Sequence, residues 1–225
     1  MEQGWTYFER FIAAYPTLKD LAAASEDEVL ALWKGLGYYS RARNLLHTAR
    51  HIQSNLSGKF PNSKASLLHL KGVGSYTASA IASFAFEEPT AVVDGNVIRI
   101  LCRYFGIEEE VSKSKTRKHL EALSDDLIPI DRPADFNQAI MDFGALVCTP
   151  KNPLCMQCPF QSNCLAFEKR IVETLPVKRP KKPKKQRYFH FLVAQPEADM
   201  IWLEKRSAED IWKNLWQIPL VEASE

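Results

Sequence analysis

The feature that most constrains this chain is a run of four cysteines, Cys148, Cys155, Cys158 and Cys164, spaced C-x6-C-x2-C-x5-C. Thiolates are soft ligands, and four of them so close together can close around one metal centre. Pro150, Pro153 and Pro159 stiffen the same segment. The fifth cysteine, Cys102, stands alone in an apolar helical pattern, and the first residues show neither a charged n-region nor a signal-peptide core. An odd, clustered count in that context argues for metal ligation rather than disulfides. The spacing by itself leaves zinc and an iron–sulfur cluster both open.

A composition of 46% hydrophobic and 25% charged residues over 225 positions is ordinary for a globular protein of one large or two modest domains. Residues 178–187 hold seven basic residues and no acid, so removing them from a formal net charge of +2 leaves the rest at −5. Bulk charge therefore does not announce a nucleic-acid binder, although this stretch is locally basic. No run approaches the ~18 to 20 apolar residues of a membrane span. A soluble, cytoplasmic protein is the expectation.

Helical periodicity dominates the first two thirds. Phe8, Phe11, Ile12 and Tyr15 recur at helical spacing and Pro16 stops them; Ser25 with Glu28 forms a capping box for a helix that turns Val29, Leu30, Leu32 and Trp33 inward. Tyr38, Tyr39, Arg41 and Arg43 follow a glycine turn and lead into a third helix through Leu46 and Ile52. Such residues either stack on bases and meet phosphates or pack on a neighbouring helix. Ser63 caps a short helix, and further helices are expected after Asp94, over residues 114–123 and over 134–147, the last with Phe136, Ala139, Ile140, Phe143 and Val147 inward. Pro176, Pro180 and Pro183 among the basic residues read as an exposed extended linker. Beyond it, residues 188–193, 200–203 and 215–221 are β-prone runs, too few to bury a core of their own.

Two motifs between residues 70 and 100 can carry chemistry. Gly72, Val73 and Gly74 open a helix whose first N–H groups lack intrahelical partners, a place either for a phosphate or for a bare interhelical loop. The turn lacks the Gly-Lys-Ser/Thr ending of a nucleotide loop. Asp94, followed by Gly95, stands at a helix start, as a working carboxylate or as a plain cap.

With the glycine turn, Val-Asp-Gly-Asn-Val at 93–97 and the four cysteines in that order, the chain resembles the helix-hairpin-helix DNA glycosylases, and within them the MutY-type adenine DNA glycosylases. Gly-Leu-Gly-Tyr-Tyr-Ser-Arg-Ala-Arg-Asn-Leu at 35–45 and Phe-Asn-Gln-Ala-Ile-Met-Asp-Phe-Gly-Ala at 136–145 carry the same likeness. The resemblance implies a mainly α fold: residues 1–106 as a six-helix barrel lacking its first helix, with the helix-hairpin-helix at 70–77, and 107–170 as a cluster domain. A basic linker at 171–187 and the start of a Nudix-like domain at 188–225 would follow. It implies a 4Fe–4S cluster on Cys148, Cys155, Cys158 and Cys164. It assigns DNA contacts to Leu70, Gly72, Val73, Gly74, Ser75, Thr77, Arg41 and Tyr38, the last as a wedge into the duplex. Asp94 becomes the carboxylate beside the sugar, with Tyr76 and Asn96 positioning groups around it.

The implied activity is hydrolysis of adenine from duplex DNA opposite 8-oxoguanine or guanine, in base excision repair, by a monomer. Related bifunctional enzymes carry a Schiff-base lysine where Tyr76 stands, which favours a glycosylase without lyase chemistry. The competing readings are an endonuclease III-like glycosylase/lyase and a noncatalytic iron–sulfur DNA-binding module. The family's adenine-protonating glutamate belongs to a segment upstream of the match, so Met1 is expected to be an internal methionine or the chain a fragment. A general acid contributes ~10² to 10⁴-fold, and excision by this chain is accordingly expected to be strongly impaired.

Overall fold

The structure, a computed structural model, describes residues 2–180, 186–207 and 212–223. The chain divides into two compact units, Met1–Phe60 with Lys182–Glu225, and Pro61–Lys181.

The first unit contains α1 (Glu2–Ala14), α2 (Leu18–Ala23), α3 (Glu26–Trp33) and α4 (Ser40–Asn55). Capping boxes start two of them. Ser25 and Glu28 do so for α3, as the sequence predicts, and Thr17 and Asp20 for α2. Val29, Leu30, Ala42 and Leu46 form the core, with Phe11, Tyr15 and Trp33 against it. The structure corrects the reading of α1: Phe11 packs edge-on to Trp33, whereas Phe8 and Ile12 are exposed, so the covered stripe is Tyr7, Phe11 and Tyr15. A period of four selects one flank of the apolar face and leaves the other open.

The same unit holds two antiparallel strand pairs. β1 (Tyr188–Phe191) pairs β4 (Leu220–Ala223), and β2 (Glu204–Lys205) pairs β3 (Trp216–Gln217). The apolar run 200–203 is exposed and precedes its strand rather than forming one. Arg43 NH1 donates to Lys213 O at 2.8 Å, Lys205 meets Asp27 at 2.8 Å, and Leu215 joins the helical core. A pair of strands that cannot bury a core alone thus borrows one from α3 and α4.

The second unit contains α5 (Lys64–Leu67), α6 (Ser75–Phe86), α7 (Gly95–Tyr104), α8 (Ser114–Leu127), α9 (Pro133–Leu146) and α10 (Leu165–Glu168). Val97, Ile98, Leu101 and Cys102 on one face of α7 pack with Ile107, Leu120, Ala166 and Leu175, the face the sequence predicts. α8 runs four residues further than its pattern suggests. After α10 the chain stays packed as far as Val177: Leu175 is buried and Val111 N donates to Val177 O at 3.0 Å. Of the basic stretch that follows, residues 181–185 lie outside the described residues.

α9 departs from its reading. Its buried residues are Pro133, Asn137 and Gly144, while Phe136, Ala139, Ile140 and Phe143 line an open apolar groove of about 490 Å³ with α7. Of the apolar stripe, Ile140 packs with Met141 against the α7 core, while Asn137 bonds to α6 and Gly144 makes the close approach to α7.

Candidate active site and metal centre

Leu70 anchors the turn between α5 and α6, since it is buried while Gly72, Gly74, Ser75, Tyr76 and Thr77 are exposed and Val73 is half-buried. Val73 N donates to Leu70 O at 3.1 Å and Gly72 takes φ +82°, a conformation a side chain resists. Gly74 is the N-cap of α6 and offers no side chain to its opening N–H groups. An anion at this exposed helix start finds unpartnered donors and the positive end of the helix dipole.

Asp94 is the N-cap of α7. Its Oδ1 accepts from Asn96 N at 2.7 Å and Val97 N at 2.8 Å, and its Oδ2 accepts from Asn96 Nδ2 at 2.8 Å. Three donors fix one orientation of a half-buried carboxylate, and the oxygens keep lone pairs for a ligand.

The network continues inward. Asn96 Oδ1 accepts from Arg99 NH2 at 2.9 Å; the same guanidinium donates to Gly144 O at 2.6 Å and, through Nε, to Cys148 O at 2.7 Å. A continuous path of hydrogen bonds thereby joins Asp94 to the backbone of the first clustered cysteine. Burial pushes Arg99 below its ordinary value; the neighbouring Cys148 and Asp94 oppose the shift and Arg103 adds to it. Arg103, one turn on, donates to Thr149 O at 2.7 Å, Val172 O at 2.9 Å and the Cys148 sulfur at 3.4 Å. Sequence patterning did not single out either arginine. The available signal was a pair of cations four apart inside an otherwise apolar helix, where a solvated face was the default.

Cys148, Cys155, Cys158 and Cys164 line a single cavity together with Arg103. No three His, Cys, Asp or Glu side chains among the described residues are gathered tightly enough to hold one metal ion. Four thiols lining one cavity fit a thiolate-held metal centre, an iron–sulfur cluster among them. Burial and the surrounding thiols raise Cys155, while Arg103 opposes them. Cys102 is separate: buried in the α7 core, with its thiol pushed up to about 11, it belongs to packing.

Tyr38 and Arg41 belong to the other compact unit. Tyr38 is 80% exposed at φ +49°, unusual for a residue with a side chain, and Arg41 lies over both the Trp33 and Tyr38 rings at 5.3 and 5.6 Å. An exposed aromatic beside a stacked guanidinium is suited to bases and phosphates.

Residues 1–125 match the HhH-GPD superfamily of base excision DNA repair proteins. The chain belongs to this superfamily. Residues 148–164 match the iron–sulfur binding domain of endonuclease III, a domain that carries a 4Fe–4S cluster, and this favours the cluster where spacing left zinc open. An adenine DNA glycosylase of Buchnera aphidicola subsp. Schizaphis graminum is 39% identical over 213 residues, 95% of this chain and 61% of that protein. The adenine DNA glycosylase of Rattus norvegicus is 51% identical over 164 residues, 72% of this chain and 32% of that protein. The chain thus spans less than two thirds of the length of either relative. Endonuclease III in a non-covalent complex with DNA superposes with a TM-score of 0.64 at 26% identity, covering 74% of this chain and 76% of that one. Among the described residues no helix is long and apolar enough to cross a membrane.

Proposed function

We propose that this protein is a monofunctional adenine DNA glycosylase of base excision repair, acting as a monomer on adenine opposite 8-oxoguanine or guanine in the bacterial cytoplasm. The observation that carries the proposal is Asp94, held by three donors at the start of α7 within a chain whose relatives on both sides of that residue are adenine DNA glycosylases. The exposed N–H groups at Gly74, Ser75 and Tyr76 grip a DNA phosphate, and Leu70, Gly72, Val73 and Thr77 shape the turn that presents them. Tyr38 and Arg41 meet the duplex, so that the target nucleotide leaves the stack.

With adenine extrahelical, the base takes up a proton from solvent, the C1′–N9 bond breaks, and its electron pair leaves with the base. The sugar becomes oxocarbenium-like, and the Asp94 carboxylate stabilises that charge until water adds to C1′ and loses a proton. Asn96 holds the carboxylate from one side and Tyr76 borders the sugar. Tyr76 supplies no amine, so no Schiff base forms there and the product strand stays intact. Cys148, Cys155, Cys158 and Cys164 would hold the cluster, and their shared ligation would tie four positions of the chain together behind α7.

Single-turnover release of adenine from an 8-oxoguanine:adenine duplex, followed long enough to register a strongly slowed parent chain and compared with Asp94→Asn, tests the proposal. A fall of about 10² to 10³-fold with DNA affinity retained is expected. Equal rates would overturn the role given to Asp94.

A further inference from the structure

Between α6 and α7 the chain crosses residues 87–94 without regular structure and ends on the carboxylate the proposed reaction depends on. Ala91 and Val92 are buried there, at 4% and 0% exposure, so their N–H groups need acceptors that no neighbouring strand provides. Two side chains from two helices supply them. Asp125 Oδ1 on α8 accepts from Ala91 N at 2.8 Å, and Asn137 Oδ1 on α9 accepts from Val92 N at 2.9 Å.

Asn137 is 1% exposed and donates its two amide hydrogens to Ser83 Oγ at 2.8 Å and Thr90 O at 3.0 Å. A buried amide is costly unless paired, and this one is paired through its oxygen and its nitrogen. Its three bonds run to α6 and to residues 90 and 92, which leaves the segment before Asp94 little freedom to shift.

Two turns further along, the same helix reaches the other side of Asp94. A Cβ on Gly144 would lie 2.6 Å from Asn96 Cβ and 3.3 Å from Asn96 Cα, so α9 approaches closely only because that position has no side chain. Asn96 is the residue whose amide holds Asp94 Oδ2. One rigid helix thus touches the chain two residues before the carboxylate and two residues after it.

We infer that α9, together with Asp125, is the template that sets where the Asp94 carboxylate stands, and that Asn137 and Gly144 are positioning residues for the excision reaction. The inference rests on the reading of Asp94 given above. The methyl of Gly144→Ala displaces Asn96 and costs about 1–3 kcal/mol of stability by overpacking in either case. A template role adds a loss that stability does not register, a shift in where the Asp94 charge stands.

The test uses two duplexes with 8-oxoguanine opposite a modified sugar: a cationic pyrrolidine, which copies the charge of the oxocarbenium, and a neutral tetrahydrofuran. The ratio of their affinities, measured on cluster-loaded protein, reads the placement of the Asp94 charge independently of turnover. Asp94→Asn is expected to abolish the preference for the cation. Gly144→Ala and Asn137→Ser are expected to reduce it by about 10 to 100-fold, the effect of an ångström-scale misplacement, with tetrahydrofuran affinity and iron content unchanged. Asp125→Ala is expected to reduce it as well, whereas Asp125→Asn keeps an acceptor for Ala91 N and retains it. Because Asp125 is exposed, that pair carries the test even if a core variant does not fold. If Asp94→Asn loses the preference while the folded α9 and Asp125 variants keep it, the template is wrong. If Asp94→Asn itself keeps the preference, the reading of Asp94 fails and the template falls with it.

Discussion

Arg99 is the residue at which the carboxylate end of α7 and the cysteine segment meet. It sits in the core at 7% exposure and serves acceptors on Gly95, Asn96, Gly144 and Cys148. Removing the guanidinium leaves those acceptors buried without a donor, at about 1–3 kcal/mol for each unpaired group. Arg99→Leu is therefore expected to lose several kcal/mol of stability and part of the bound iron, read by urea unfolding and by iron per chain. Arg99→Lys is expected to recover little, because an ammonium cannot reproduce a planar fork aimed at several oxygens. Unchanged iron content and stability in both variants would show that the link is incidental.

At the scale of elements, α3 offers a titratable marker of its own cap. The Glu28 carboxylate accepts from Ser25 N and Ser25 Oγ, both at 2.8 Å, and these hydrogen bonds hold it below its ordinary value of 4.5. A group whose acid form is disfavoured by folding stabilises the fold above its unfolded pKa, and that contribution disappears as pH falls through the lowered folded value. The stability difference between the parent chain and Glu28→Gln is thus expected to be constant near neutrality and to shrink below about pH 4.5, followed by urea midpoints across pH. This cap was legible because Ser-x-x-Glu before an apolar run is a local signal. The same holds for Ser63, for Asp94 at α7 and for the four cysteines, whose spacing is short-range. What stayed hidden was long-range and polar. Asn137 and Gly144 look unremarkable within α9, and their meaning comes from Val92 and Asn96, residues more than forty positions away. The apolar stripe of α9 identified the helix and, at Ile140, part of its packing face, but not the positions of closest approach, since small residues carry little hydropathy signal.

For the whole molecule, the cysteine segment and the chain behind it form part of the α7 core: Cys164, Ala166, Ile171, Val172 and Leu175 all pack there. Stripping the iron is expected to loosen this region first, so that limited proteolysis of the depleted protein cuts between residues 148 and 175 while the loaded protein resists. Cleavage unaffected by iron would mean that packing alone holds the segment. The central claim concerns which bond this assembly breaks, and a panel of duplexes answers it most directly. Parent chain in excess over DNA is incubated with adenine opposite 8-oxoguanine, adenine opposite guanine and an oxidised pyrimidine opposite guanine, with borohydride present in parallel. Slow release of adenine from the first two, strand breaks only after alkali and no trapped protein–DNA adduct is the expected result. Release of the pyrimidine with a borohydride-trapped adduct would contradict it.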